Sequence, residues 1–194
     1  RPRAGRIRVL LFLSGPLDGH EGNLHDPLTS LLAAGALVIG KLAWVWGVGG
    51  FSALVAVGLV RLSGQFLRAT EVPWSSAQIL VALVFVAFMA WTEGYRGFQL
   101  SYAPKFAHRA ETLRKHATFV QALLAPVYCM GLAWAPARSL AANWALLAVI
   151  VALVAAFGVV PQPWRGILDG GVVVGLTWGL FATWYCLWQT GGGR

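Results

Sequence analysis

Residues 42–60 read LAWVWGVGGFSALVAVGLV: nineteen positions without a charge, closed on one side by Lys41 and on the other by Arg61. Wound as an α-helix at 1.5 Å per residue, this stretch covers ~28 Å, about one bilayer hydrocarbon core. It is read as the first transmembrane span. The apolar residues before it, 28–40, have the length of an interfacial or re-entrant piece, or of an extension of the same helix. Further along, residues 75–92, 117–135, 142–160 and 167–189 form four more apolar runs. The third contains Pro126, which kinks a helix but is tolerated inside a bundle. The fourth stops at Pro161-Gln-Pro163. The expected architecture is all-α: a polytopic transmembrane helical bundle of about five spans over residues 28–194, preceded by a polar cytoplasmic segment, 1–27, punctuated by Gly15, Pro16, Gly19, Gly22 and Pro27.

The totals agree. Of 194 residues, 58% are apolar and only 11% charged, with a mean hydropathy of +0.67. A soluble domain carries roughly 25% charged residues. Such a chain cannot cover itself with polar surface, which argues against a soluble domain, a disordered tail or a nucleic-acid binder. The formal charge of +8 follows from basic loops on one side of a membrane. Two cysteines argue against a disulfide scaffold. The basic start (Arg1, Arg3, Arg6, Arg8) is followed by an apolar run too short for a cleaved signal, so none is expected.

Five spans with the N-terminus inside place Arg1, Arg3, Arg6, Arg8, Lys41, Arg96, Lys105, Arg109, Arg114, Lys115 and Arg165 on one side, and Arg61, Arg68, Arg138 and Arg194 on the other. Cytoplasmic loops collect Lys and Arg, so this predicts N-in and C-out. Trp74, Trp91, Trp134, Trp144, Trp164 and Trp188 fall near span ends, where an indole buries its ring and wets its N–H. Trp44, Trp46 and Trp178 lie deeper and are read as packing residues.

The stretch Trp91-Thr-Glu-Gly-Tyr-Arg-Gly-Phe-Gln99 sits at the expected cytoplasmic exit of the second span, with Gly94 and Gly97 allowing the backbone to turn. A carboxylate at a membrane boundary needs a partner. This predicts a cytoplasmic-face polar cluster of Lys41, Glu93, Tyr95, Arg96, Arg165 and Asp169, which either binds a headgroup, substrate or partner or ties helix ends together. Residues 102–116 read as an amphipathic helix. Phe106, Ala110 and Leu113 share a face, Glu111 and Lys115 support each other at i,i+4, and Lys105, Arg109, Arg114 and Lys115 are candidate contacts to lipid headgroups. Gly171, Gly175 and Gly179 recur every fourth residue in the last span; in the first, Gly49 and Ala53 are four apart and Ala56 continues the face one turn on, a weaker pattern; both are candidate helix-packing faces. In the N-terminal segment, Asp18, His20, Glu21, His25 and Asp26 could meet a divalent metal, though their spacing matches no strong zinc pattern and a solvated loop is the plainer reading.

The absences shape the functional expectation. The four histidines all lie outside the spans, so no axial haem or chlorophyll ligation is expected, and no cofactor. The five apolar cores carry no deep ionisable residue of the kind that ion-coupled transport uses. No GxSxG, HExxH or P-loop occurs. The expected function is that of a non-catalytic accessory, assembly or scaffold subunit, partnered by the lipid bilayer and by another integral membrane protein or a second copy, without nucleic acid. A small transporter or channel for an anionic or lipid-like substrate is the alternative. A lipid-modifying enzyme using Glu93, Tyr95 or a loop histidine comes third.

Three strings, Glu93-Gly-Tyr-Arg-Gly-Phe-Gln99, Ala125-Pro-Val-Tyr-Cys-Met-Gly131 and Pro161-Gln-Pro-Trp-Arg-Gly-Ile-Leu-Asp169, resemble those of small uncharacterised bacterial inner-membrane proteins. The resemblance covers roughly residues 42–189. It implies a multi-pass protein of a bacterial inner membrane and a compact helical bundle, and no activity.

Overall fold

The computed structural model describes residues 27–192. The chain divides at Ala34: the first unit, Arg1–Ala34, is described only from the start of its helix, and the second, Gly35–Arg194, holds the rest. The Asp18–Asp26 loop with its histidines, and the arginines of the first eight residues, lie outside the described residues.

All regular structure among the described residues is helical. Helix α1 is Pro27–Thr70; residues 28–40 are therefore part of it and not a separate piece. After a short turn, α2 (Ser76–Met89), a π-helical segment (Ala90–Tyr102) and α3 (Ala103–His116) follow as one continuous helical run. Two short helices come next, α4 (Phe119–Leu123) and α5 (Ala125–Met130), then α6 (Ala137–Gly158) and α7 (Trp164–Gly192). Four helical stretches are long and apolar enough to cross a membrane: Ala34–Thr70, Ser76–His116, Ala137–Gly158 and Trp164–Gly191. An integral membrane protein has this construction.

The expected span at 117–135 does not form as one helix, and the reason is local. Thr118 caps α4 in a reciprocal box with Gln121. Leu124 then leaves helical geometry (φ −97°, ψ 26°) just ahead of Ala125-Pro126. Pro126 lacks the N–H that would bond the Ala122 carbonyl, and its ring crowds that same carbonyl, so the ladder of α4 cannot run on into α5. Five residues after Pro126, Gly131 adopts φ +72° and ends α5, with its own N–H on Tyr128 O and that of Leu132 on Val127 O. Pieces of five and six residues are far too short to span. They pack instead on α1, where a side chain at Gly47 would collide with Cys129 Sγ at 2.9 Å and one at Gly50 with Pro126 Cγ at 2.6 Å.

Close contacts set the helix directions. Along α1, Gly40 meets the Arg114 backbone, Phe51 packs on Tyr102 and Phe106, and Ala69 meets Gly166. Helix α1 thus runs antiparallel to the Ser76–His116 run and to α7. Helix α7 runs parallel to that run, since Gly171 faces Phe85, Gly175 faces Glu93 and Gly179 faces Phe98. One end of the bundle gathers Lys41, Arg114 and Thr190; the other gathers Gln65, Trp74 and Gln162. The end of α7 therefore returns to the Lys41 end. The expected five spans put them on opposite sides; four helices are long and apolar enough to cross, and the two places share one end of the bundle.

The core is Phe106, Ala110 and Leu113 of α3 set against Ala43, Val48 and Phe51 of α1, with Cys129 of α5. The apolar face of α3, which the sequence marks by Phe106, Ala110 and Leu113, points into the bundle. Elsewhere the molecule wears its apolar side chains outside. No residue of α6 is buried, and Leu146, Val149, Ile150 and Val151 are all exposed. Contiguous apolar exposure on this scale is untenable in water and ordinary in lipid.

Candidate functional site

The structure does not bring the six residues of the expected polar cluster together. It sets them at three levels. At the far end of the bundle, Arg165 and Asp169 pair along α7, with Nε 3.7 Å from Oδ2. Asp169 is buried, and neither of these two atoms has a hydrogen-bond partner among the described residues, so the contact is one of charge. Around it α1 is tied to the turn that follows it, to the loop before α7 and to α7 itself: Trp74 donates its indole N–H to Ala69 O (2.7 Å), Gln162 reaches Gln65 O, and Gly170 makes room for Phe66. This is a structural knot.

In the middle lies the seam between α7 and the π-helical segment. A π-helix bonds i to i+5, so side chains meet four and five apart along a face. The contacts follow that count: Phe85, Met89, Glu93 or Gly94, and Phe98 step along α7 opposite Gly171, Gly175 and Gly179. Trp91 stacks on Tyr95, four residues on, at 5.1 Å. The same winding swings Arg96, three residues from Glu93, off its face; Arg96 is exposed. Glu93 and Arg96 accordingly make no ion pair, and Glu93 Oε2 rests where a side chain at Gly175 would stand, 3.0 Å away. Gly94 and Gly97, expected to turn the backbone, remain helical; Gly94 admits the Trp178 ring. Trp178 in turn donates to Gln99 Oε1 (2.8 Å) beside a shallow, mostly apolar groove of about 540 Å³.

At the near end, Lys41 lines a cleft of about 280 Å³ between α1, α3 and α7. Its polar wall is Lys41, Glu111 and Arg114; its apolar wall is Trp44, Val45 and Leu187. Arg114 Nη2 donates to Glu111 Oε1 at 2.8 Å, and Lys115 Nζ approaches the same oxygen at 3.3 Å. Arg114 Nε is buried and has no hydrogen-bond partner among the described residues. Of the other cations considered for lipid headgroups, Lys105 is exposed and reaches Ser101 Oγ. Arg109 turns inward, packing against Gly131 and donating to Ser139 Oγ at 3.4 Å.

Sequence reasoning missed Glu111 and Trp44 as neighbours of Lys41, because nothing in a sequence shows that α3 closes on α1. The signal was Gly40: a Cβ there would overlap the Arg114 carbonyl oxygen, so only glycine permits the approach. It also missed what Trp46 and Trp144 do. Trp46 donates to Leu123 O and Trp144 to Leu132 O, each where a short helix ends. In lipid such orphaned carbonyls have no water to turn to, and indole N–H groups supply the bond. Cys129 and Cys186 are free thiols. Among the described residues no group of three or more His, Cys, Asp or Glu gathers as a metal site would require.

Fold and sites together describe an integral membrane helical bundle with a basic cleft at one end and an ionic knot at the other. No family model, curated protein or solved structure matches the chain.

Proposed function

We propose that this protein is a non-catalytic accessory or assembly subunit of a bacterial inner membrane, packing against a helix of another membrane protein through the outward face of α1. The observation that carries the reading is a contrast between its two small-residue faces. Gly171 and Gly179 on α7 are already filled, by Phe85 and Phe98. On α1, Gly49 has nothing within 4 Å, and Ala53 and Ala56 are exposed beside it. Large exposed side chains, Trp46 and Val57, flank them. A notch of small residues between such ridges lets a second backbone approach closely, and van der Waals packing drives helix association in lipid. The dispersal of Glu93, Arg165 and Lys41 over three levels gives no support to a catalytic constellation.

In mild detergent, the tagged full chain is expected to co-purify with a stoichiometric membrane partner. Gly49→Leu with Ala53→Leu should release that partner and leave the chain monodisperse. A wild-type chain that elutes alone, or a double variant that keeps its partner, overturns the reading. A small transporter for an anionic or lipid-like substrate is the second reading, favoured by the basic cleft.

For orientation, the Lys41 end carries Lys41, Arg109, Arg114 and Lys115, against Arg61, Arg68 and Arg165 toward the other, and the positive-inside rule then turns the Lys41 end to the cytoplasm. With four crossings, the end of α7 lies there too. On a background without Cys129 and Cys186, a cysteine at Glu71 should react with an impermeant maleimide on intact cells, and one at Lys115 only after permeabilisation. The reverse pattern inverts the protein.

A further inference from the structure

We infer that the cleft between α1, α3 and α7 is a binding site for the phosphodiester headgroup of one anionic phospholipid. The inference goes beyond the accessory reading and uses other residues. Two cations from separate elements converge there: Lys41 from α1 and Arg114 from α3. Lys41 has no hydrogen-bond or ion-pair partner among the described residues, and the Nε of Arg114 is buried without one. The carboxylate in the same wall, Glu111, is engaged by Arg114 and, from outside the cleft, by Lys115, so its charge is compensated and Lys41 leaves the cleft positive. Guanidinium and ammonium groups held together in this way suit a phosphate oxyanion.

The apolar wall argues for a lipid as the source of that phosphate. Trp44 and Val45 stand at the start of the charge-free stretch of α1, and Leu187 near the end of the charge-free stretch of α7. Acyl chains attached to a phosphate in the cleft would pass directly onto these surfaces. A volume of about 280 Å³ admits a phosphate with its glycerol, and the tails remain in the bilayer.

The test uses the full chain purified from bilayers that mix phosphatidylglycerol and phosphatidylcholine, with retained lipid counted by native mass spectrometry. The wild type is expected to keep one phosphatidylglycerol in preference to phosphatidylcholine and to keep it in millimolar inorganic phosphate. Lys41→Gln with Arg114→Gln should lower that retention on the order of tenfold per lost charged contact, while Lys105→Gln, on the same helix outside the cleft, leaves it unchanged. Lys41→Gln alone touches no packing contact of the core and should show the loss even if the double variant does not fold. Equal retention of both lipids, or retention unchanged in Lys41→Gln, overturns the site. Displacement by inorganic phosphate overturns the lipid as its ligand. Since Gly49 and Ala53 lie outside the cleft, loss of a protein partner and loss of lipid are separately readable.

Discussion

Gly40→Val is expected to be the most damaging single substitution on α1, lowering stability by about 1–3 kcal/mol or more. The neighbour it meets is the backbone carbonyl of Arg114, which cannot rotate aside as a side chain can. To admit even one methyl group, α3 must move bodily away from α1. That movement would also loosen Ala43, Phe106 and Leu113, which pack just inside. Heating in mild detergent followed by size exclusion reads the effect, as an aggregation midpoint several degrees lower than wild type. Lipid retention in the cleft should fall with it. An unchanged midpoint would mean that α1 and α3 do not close as described.

Gly171→Leu is the second large effect, expected to cost about 1–3 kcal/mol by overpacking the seam. A Cβ at Gly171 would stand 2.5 Å from the Phe85 ring and 3.1 Å from Met89 Cγ. Phe85 can swing toward lipid, which makes this variant milder than Gly40→Val. Gly58→Leu is the matched control. It makes the same chemical change in a spanning helix, but nothing lies within 4 Å of Gly58, and its midpoint should not move. If both leucines behave alike, the seam is not packed through Gly171.

Much of the fold can be read from the sequence because apolar length is a strong signal. The runs at 42–60, 75–92, 142–160 and 167–189 all lie within or largely overlap helices long enough to cross a membrane. The run at 117–135 misleads because mean hydropathy does not register Thr118 as a cap, Pro126 as a break or Gly131 as a stop. That reading carries over to the site. It places Arg165 beside Lys41, and the structure puts the length of α7 between them. Glu93 misleads differently. Two nearby glycines suggest a turn, as they would in water, whereas here Gly94 is a packing residue that admits Trp178. The pairing of Lys41 with Arg114 was out of reach, since the two meet only after α1 and α3 have closed.

The reach of α1 has one more consequence. From Lys41 to Thr70 the helix runs roughly 45 Å at 1.5 Å per residue, yet only about 28 Å of that is free of charge. Its last turns, with Arg61 and Arg68, therefore stand clear of the oil, and they carry the Gln65 and Ala69 contacts to Gln162, Gly166 and Trp74. Host membranes differ by several ångströms in thickness, at a modest cost per ångström of mismatch. A protein that fastens its helices beyond the hydrocarbon edge can ride up or down in its host without undoing the fastening.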